Sequence, residues 1–199
     1  MANMNGRLSY TYRFIRFLGI NISEKDYGNI SLWGAVSKFL KEVLCSILLK
    51  YSMYSALLAP FNYRKIRPFI WRRMGAKVGK NCYIGYEVYI DLMHADLITI
   101  DDNVHVDNRC FLLCHKRDIR QYCQGDNYSE LGYQYGKINI KQGSSIGSGS
   151  IILPGVTIGE GAIVGAGSLV TKDIPAWSVA VGRPAKVVRM LPLKQDNIV

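Results

Sequence analysis

The residues best suited to acid–base chemistry in this chain of 199 residues are three histidines, His94, His105 and His115. An imidazole ring exchanges a proton near neutral pH, so histidine is a common general base. His115 ends the segment Cys110-Phe-Leu-Leu-Cys-His, where a run of aliphatic residues gives way to a long polar stretch. Its surroundings leave two interpretations open: a base beside a functional loop, or a surface histidine at a loop edge.

Cysteines surround His115 without forming a recognisable metal or disulfide pattern. Cys110, Cys114 and Cys123 lack the paired Cys-x-x-Cys spacing of a zinc site, and the Cys-x3-Cys-His order is one residue too long for haem attachment. Neither G-x-G-x-x-G nor G-x-x-x-x-G-K-[S/T] occurs, which excludes a glycine-rich phosphate loop. We therefore expect no metal. The five cysteines are an odd, scattered set, which favours a reducing compartment and a cytoplasmic protein.

The elements that would position these side chains follow from a repeat of six residues. The repeat places an aliphatic residue at twelve positions, namely Val78, Ile84, Ile90, Ile100, Val106, Leu112, Ile140, Ile146, Ile152, Ile158, Val164 and Val170. The next residue is Gly or Asp at eight of the twelve, and both tolerate the left-handed backbone of a tight corner. We interpret each repeat as a short strand and a corner. Three repeats would form one coil of about 18 residues, and stacked coils would pair into three parallel sheets.

The repeat is interrupted twice. Ile90 and Ile100 are ten residues apart, so four residues are inserted into one corner, and we expect His94 to lie there in a structural role. Leu112 and Ile140 are twenty-eight apart, which predicts a protruding loop over about 117–138. Loops of this length are commonly functional. Four tyrosines in it could stack on a sugar ring or only pack the loop: Tyr122, Tyr128, Tyr133 and Tyr135. We expect His105 to face solvent.

These repeats resemble those of the hexapeptide-repeat acyltransferases, in particular the galactoside and maltose O-acetyltransferases and related enzymes that modify polysaccharides. The resemblance is strongest from Ile146 to Pro175 and continues through the segment Gly182–Arg189. It implies a mainly β fold, a left-handed parallel β-helix, with acetyl-CoA as acyl donor and a homotrimer whose sites lie between subunits. It also implies that His115 is the general base for direct transfer to an acceptor hydroxyl.

The resemblance further assigns residues to the acyl donor, whereas the acceptor side departs from the family's sugar enzymes. The donor residues it implies are Ser148 and Ala166 beside the pantetheine arm, Thr171 and Lys172 on the same wall, and Lys186 and Arg189 near the CoA phosphates. Cationic side chains suit phosphate, although a solvated basic tail would look the same. Glu87 and Asp91 are the candidates for acceptor binding, and Asp91 also fits a repeat corner.

The region before the repeat differs in composition and charge. Residues 1–73 hold 12 Lys and Arg against 3 Asp and Glu, whereas residues 74–199 hold 13 against 12, which argues against nucleic-acid binding by the main domain. Apolar residues at helical spacing predict a helix from Ser31 toward Ala59, and a shorter one from Lys65 to Met74. We expect an α-helical domain over 1–73 and a β-helix with a C-terminal tail over 74–199. The helices would cover the first coil or dock on an anionic membrane; no segment is apolar enough to span one.

Together these features predict an O-acetyltransferase that uses acetyl-CoA and acts on a sugar hydroxyl of a glycolipid or polysaccharide precursor. One alternative is an acetyltransferase for an antibiotic, an amino sugar or another small molecule. A second alternative, from a different class, is a catalytically silent β-helix that serves as a scaffold or binding module.

Overall fold

Helices form the first part of the chain in the computed structural model, which describes residues 8–20, 24–54 and 62–193. The helices are α1 (Tyr10–Phe17), α2 (Glu24–Tyr27), α3 (Leu32–Tyr54) and α4 (Arg67–Met74), and a short π-helix (Asn62–Ile66) precedes α4. Ser31 caps α3 as predicted, since its Oγ accepts a hydrogen bond of 3.0 Å from the amide of Gly34. The predicted extension toward Ala59 falls outside the described residues. Within the described ranges, none of the helices combines the length and apolar character needed to cross a membrane.

Short strands with a period of six residues follow the helices. They are β1 (Lys77–Val78), β2 (Tyr83–Ile84), β3 (Tyr89–Ile90), β4 (Ile98–Ile100), β5 (His105–Val106), β6 (Phe111–Leu112), β7 (His115–Arg117), β8 (Tyr133–Tyr135), β9 (Ile138–Ile140), β10 (Ser145–Ile146), β11 (Ile151–Ile152), β12 (Thr157–Ile158), β13 (Ile163–Val164), β14 (Leu169–Val170), β15 (Ser178–Gly182) and β16 (Ala185–Met190). Fourteen of the sixteen pair into three sheets. Sheet A has the order β1-β4-β9-β12, sheet B β16-β15-β13-β10-β5-β2, and sheet C β14-β11-β6-β3. The successive coils therefore stack as parallel strands, as predicted.

The aliphatic residues of the repeat form the core of the coils. All twelve are buried, and residues on successive coils lie in register, for example Val106 beside Ile146 and Ile146 beside Val164. A ladder of like side chains therefore fills the interior, and burial of each stabilises the fold by about 1.5–3 kcal/mol. This core explains why the pattern of twelve positions was sufficient to predict the sheets.

The glycines directly after the aliphatic residues do not adopt the left-handed backbone that the sequence predicted for them. The left-handed backbone falls on the third residue after the aliphatic one, for example at Asn103, Arg109 and Gly149, and not on the residue directly after it. A Cβ at Gly147, which does follow the aliphatic residue, would lie 2.6 Å from the backbone nitrogen of Ala166 on the next coil. Glycine is thus required there for close approach between coils, and not for turn conformation.

Three columns of corners connect the sheets. We call the corners from sheet B to sheet C the second corner (85–88, 107–110, 147–150, 165–168) and those from sheet C to sheet A the third corner (91–97, 113–137, 153–156, 171–173). The four-residue insertion and the long loop both belong to the third corner, on successive coils. Because coils stack directly, the two irregular segments meet at one edge of the β-helix.

The described residues fall into two compact units that divide after Ser46. The boundary at residue 73, expected from the start of the repeat, stays a prediction. The second unit contains the end of α3, α4 and the β-helix. In it, the buried guanidinium of Arg67 donates hydrogen bonds to the carbonyls of Ile84 (2.9 Å) and Met53 (3.3 Å). Helix α4 is therefore attached to the first coil and covers it, which places α4 with the β-helix.

Candidate active site

His115 lies where the long loop leaves the third corner. It is the first residue of β7, which pairs antiparallel with β8, so that His115 faces Tyr135 and Arg117 faces Tyr133. This hairpin forms the base of the loop. The amide of Gly136 donates a hydrogen bond of 2.9 Å to the carbonyl of Cys114, which returns the chain to the coil. The hairpin thereby holds His115 in a defined position, although loops are usually more mobile than the strands that they connect.

A buried carboxylate orients the His115 ring. Nδ1–H of His115 donates a hydrogen bond to Oδ2 of Asp91, which comes from the inserted corner one coil earlier. The side chain of Asp91 is only 5% exposed, whereas that of His115 is 41% exposed. An ionised carboxylate only accepts hydrogen bonds, so it selects the tautomer with the proton on Nδ1. Nε2 is then left with a free lone pair that can take a proton from a hydroxyl group.

Aromatic side chains surround this pair. The ring centroid of His94 lies 5.8 Å from that of His115 and 4.6 Å from that of Tyr135, and the Tyr133 centroid lies 5.2 Å from His115. The Arg117 guanidinium stacks over Tyr133 with its Cζ 4.2 Å from the centroid. His94 lies in the inserted corner, as expected from the sequence, but its contact with His115 was not predicted. The sequence did contain the information needed to predict this contact. Both interruptions follow the third strand of a coil, so both must lie at the same edge of the β-helix.

Two buried thiols on the segment that leads to His115 are unreactive at neutral pH. Burial raises the pKa of Cys114, the residue before His115, to about 12, and that of Cys110 to about 11. Both thiols therefore stay protonated, and a protonated thiol is a poor nucleophile. Cys114 cannot readily carry an acyl group, which favours a single transfer step over a thioester intermediate on the protein.

In the part of the chain that the structure describes, the residues that could share a metal ion are not the cysteines. All five cysteines are free, and Cys110 and Cys114 are buried while Cys123 is exposed. Among the described residues, the group that could share a cation is instead Asp91, His94 and His115, whose ligand atoms all lie within 4.8 Å of one another. Imidazole and carboxylate groups suit zinc and related cations.

The long loop encloses a cavity of its own. The cavity has a volume of about 690 Å³, and its lining residues are Asp118, Arg120, Gln121, Glu130, Leu131 and Gly132. Arg120 donates hydrogen bonds to both carboxylate oxygens of Asp118, and this pairing lowers the pKa of Asp118 to about 2. The pair orders the start of the loop.

The second corner holds a separate cavity, and part of the predicted donor and acceptor set lies there. The cavity measures about 560 Å³ and is lined by Tyr54, Tyr86, Glu87, Asn108, Arg109, Ser148 and Gly149. The Glu87 carboxylate accepts hydrogen bonds from Arg109 Nε (2.8 Å) and from the Tyr54 hydroxyl (2.9 Å). Its bonds to Arg109 and Tyr54 lower the pKa of Glu87. Glu87 lies at the second corner and Asp91 at the third, so within one protomer the two acceptor candidates belong to different corners.

The remaining predicted donor residues are spread over the molecule. Ala166 is at the second corner with Ser148, whereas Thr171 and Lys172 are exposed at the third corner. Lys186 and Arg189 are exposed on β16, which pairs antiparallel with β15. One protomer does not gather these residues around His115.

Comparisons with known proteins agree with the repeat. Residues 137–172 match the family model described as bacterial transferase hexapeptide (six repeats). The Bacillus subtilis protein YvoF, provisionally named an acetyltransferase, is 32% identical over 173 residues, which cover 86% of this chain and 91% of that protein. A Staphylococcus aureus (strain Mu50) protein with the same provisional name is 42% identical over 115 residues, 58% of this chain. The match covers only 55% of that relative, so the chain spans about half of its length.

Solved structures share the fold. A maltose O-acetyltransferase from Clostridium difficile 630 superposes with a TM-score of 0.59 and 25% identity, over 77% of this chain and 88% of that chain. A hexapeptide-repeat acetyltransferase from Vibrio cholerae, solved with acetyl coenzyme A, gives a TM-score of 0.60 at 18% identity, over 86% and 100%. The predicted fold, a left-handed parallel β-helix with helices before it, is confirmed.

Proposed function

The chain belongs to the hexapeptide-repeat acyltransferase family, and from that premise we propose that it transfers an acetyl group from acetyl-CoA to a sugar hydroxyl. The observation that carries the proposal is the hydrogen bond between the exposed His115 ring and the nearly buried Asp91 carboxylate. This arrangement provides an oriented general base beside solvent, where an acceptor has access to it.

The transfer follows from the chemistry of this pair. Nε2 of His115 removes the proton of the acceptor hydroxyl while its oxygen forms a bond to the thioester carbonyl carbon. Asp91 stabilises the resulting imidazolium through the Nδ1 hydrogen bond. Collapse of the tetrahedral intermediate breaks the C–S bond, and the imidazolium returns the proton to the departing CoA sulfur. The products are the acetyl ester and free CoA, and His115 ends in its starting state.

For the donor, we propose the residues that the resemblance implied. Lys186 and Arg189 are exposed cations suited to the CoA phosphates, and the Vibrio cholerae neighbour was solved with acetyl-CoA. Ser148 and Ala166, at a different corner from Thr171 and Lys172, would complete the site from an adjacent protomer. Their separation in one chain supports a homotrimer with sites between subunits.

For the acceptor, we propose a sugar in a glycolipid or polysaccharide precursor, encountered in the cytoplasm or at the inner face of the membrane. The rings of Tyr133 and Tyr135 are exposed beside His115 and suit stacking on the apolar face of a sugar. The five free thiols fit a reducing compartment.

Calorimetric titration of acetyl-CoA tests the donor assignment. We expect saturable binding to the wild type, weakened by Lys186→Ala/Arg189→Ala. The control Lys77→Ala/Lys80→Ala removes two exposed lysines of the first coil and should bind like the wild type. A screen of sugars for acceptor-dependent release of the CoA thiol then tests transfer. Absence of binding at millimolar acetyl-CoA would contradict the proposal and favour a silent scaffold.

A further inference from the structure

Helix α3 carries a continuous apolar face that is open to solvent. Ten large apolar side chains on it are between 39% and 79% exposed: Leu32, Trp33, Val36, Phe39, Leu40, Val43, Leu44, Ile47, Tyr51 and Tyr54. At about 100° per residue, these positions span an arc of about 140°. We call this surface the outer face of α3. Over 23 residues it extends for about 34 Å.

The opposite side of the same helix is the side that packs. Leu49 and Met53 are buried, and Gly34, Ala35 and Cys45 are partly buried. The residues of the outer face are the ones whose spacing predicted the helix, and an amphipathic helix ordinarily turns such a stripe toward the core. Here the stripe is directed outward, which only the structure reveals. An exposed apolar surface of this extent on a soluble chain marks an interaction site.

The charges near this surface favour lipid over a second copy of the chain. Residues 1–73 hold 12 basic and 3 acidic residues, so two copies meeting through their helices would bring two strongly positive regions together. The α3 sequence contains three lysines and one glutamate. Lys38 and Lys41 lie outside the outer face, and Lys50 lies within its arc, where the long side chain can extend to the headgroups. An anionic lipid surface complements this charge.

Residue types at the ends of α3 agree with an interfacial position. Trp33 stands near the start of the outer face and Tyr51 near its end, whereas the hydroxyl of Tyr54 is bonded to Glu87. Trp and Tyr favour the boundary between lipid headgroups and acyl chains. Helix α1 repeats the arrangement, with Tyr10, Phe14 and Phe17 exposed on one side and the two arginines Arg13 and Arg16 beside them.

We infer that the outer face of α3 is a membrane-docking surface that lies in the interface of an anionic bilayer, parallel to its plane. A helix with an apolar face and flanking cations binds in this way by burying the apolar residues below the headgroups. Docking would concentrate the chain at a surface that carries lipid-linked acceptors. That consequence rests on the proposed function, whereas vesicle binding itself does not depend on acetyl transfer.

Cosedimentation with vesicles of phosphatidylglycerol and phosphatidylcholine tests the docking surface in the full chain. We expect the wild type to bind these vesicles and to bind pure phosphatidylcholine more weakly. Phe39→Glu/Ile47→Glu places two charges in the outer face and should weaken binding by at least about tenfold. The matched control Gln121→Glu/Gln124→Glu adds the same charge on the exposed long loop and should bind like the wild type.

Tryptophan fluorescence provides a second readout that needs no change in the outer face. Trp71 is buried, so in a Trp177→Phe background Trp33 is the exposed tryptophan. Its emission should shift to the blue on addition of anionic vesicles. A wild type that stays in the supernatant at low salt, or an unchanged Trp33 emission, would overturn the proposal. A lower oligomeric state of Phe39→Glu/Ile47→Glu in light scattering, without vesicle binding by the wild type, would assign the face to a second copy instead.

Discussion

The second and third corners of the β-helix are built from the same repeat but have become different surfaces. At the second corner every turn has four residues, and Glu87 and Arg109 on successive coils pair with each other. At the third corner two turns are lengthened, and Asp91 and His115 meet from successive coils. Stacking thus brings polar residues one coil apart together at both corners. At the third corner a hairpin also places its tyrosine rings beside the pair.

The difference teaches how a regular solenoid acquires a candidate site. At a tight corner the polar side chains bond to one another. The Glu87 carboxylate, for example, accepts hydrogen bonds from both Arg109 and Tyr54. Where residues are inserted, the backbone no longer follows the repeat. The nearly buried carboxylate of Asp91 can then contact the exposed imidazole of His115. Five predictions test this contrast between a structural corner and a chemical one.

Replacement of the base should have the largest effect. His115→Ala is expected to lower the rate of acetyl transfer by about 10²–10⁴-fold, because removal of a general base costs about that much. Acetyl-CoA affinity, measured by calorimetry, should be retained. His105→Ala is the matched control, since His105 stacks on Tyr83 away from the third corner. Near-normal transfer by His115→Ala would remove it as the base.

Asp91→Asn should have the next largest effect. It keeps the shape of the side chain but no longer favours the tautomer with the proton on Nδ1. We expect kcat to fall by about 10–100-fold, the cost of removing a carboxylate that orients a metal-bound histidine. The KM for the acceptor should change little. If KM rises while kcat is unchanged, Asp91 binds the acceptor directly, as the sequence first suggested.

The return of the long loop depends on close packing at Gly136. A Cβ there would lie 2.7 Å from the carbonyl carbon of Pro154 on the next coil, so Gly136→Ala should lower the free energy of unfolding by about 1–3 kcal/mol. In Gly132→Ala, at the exposed part of the loop, the added Cβ meets no atom within 4 Å. Chemical denaturation of both variants measures the difference. Equal stabilities would show that the loop is not held at this contact.

The buried thiols give a test of stability against pH. Cys110 at the second corner and Cys114 at the third have pKa values raised to about 11 and about 12, compared with about 8.5 in an unfolded chain. Above pH 8.5 the unfolded state therefore binds fewer protons than the folded state, and the free energy of unfolding should fall as pH rises. The slope is about 1.4 kcal/mol per pH unit for each thiol. Denaturation between pH 9 and pH 11 should show a shallower slope for Cys110→Ala and Cys114→Ala; identical slopes would contradict this origin.

Glu87→Gln should have the smallest effect on transfer. Its carboxylate is already bonded to Arg109 and Tyr54 at the second corner, so kcat and the KM for the acceptor should stay near wild type. Steady-state kinetics with a sugar acceptor measures both. A marked rise in KM would show that the second corner of one protomer serves the acceptor site of another.

Local periodicity explains why much of the fold could be predicted. An aliphatic residue every sixth position requires strands that bury it, and Ile146 indicates its neighbour Val164 once the coil length of about 18 residues is known. Its other neighbour, Val106, follows only when the residues of the long loop are left out of the count. The glycines of the repeat were identified from the sequence, but the turn conformation predicted for them was wrong. Gly147 is required because Ala166 approaches it from the next coil, and a contact between coils is not visible in a local pattern. The site was predicted in part: His115 stood out by its place at an interruption, but Asp91 is 24 residues away in sequence.

By itself, the sequence determined the repeat, the position of both interruptions, the helix from Ser31 and the uneven distribution of charge, since each is local or compositional. Tertiary structure decided which interruptions share an edge, which carboxylate meets His115, and which side of α3 packs. Those outcomes depend on how successive coils stack and how helices turn against their neighbours. Such contacts join residues that lie far apart along the chain, and no local pattern encodes their partners.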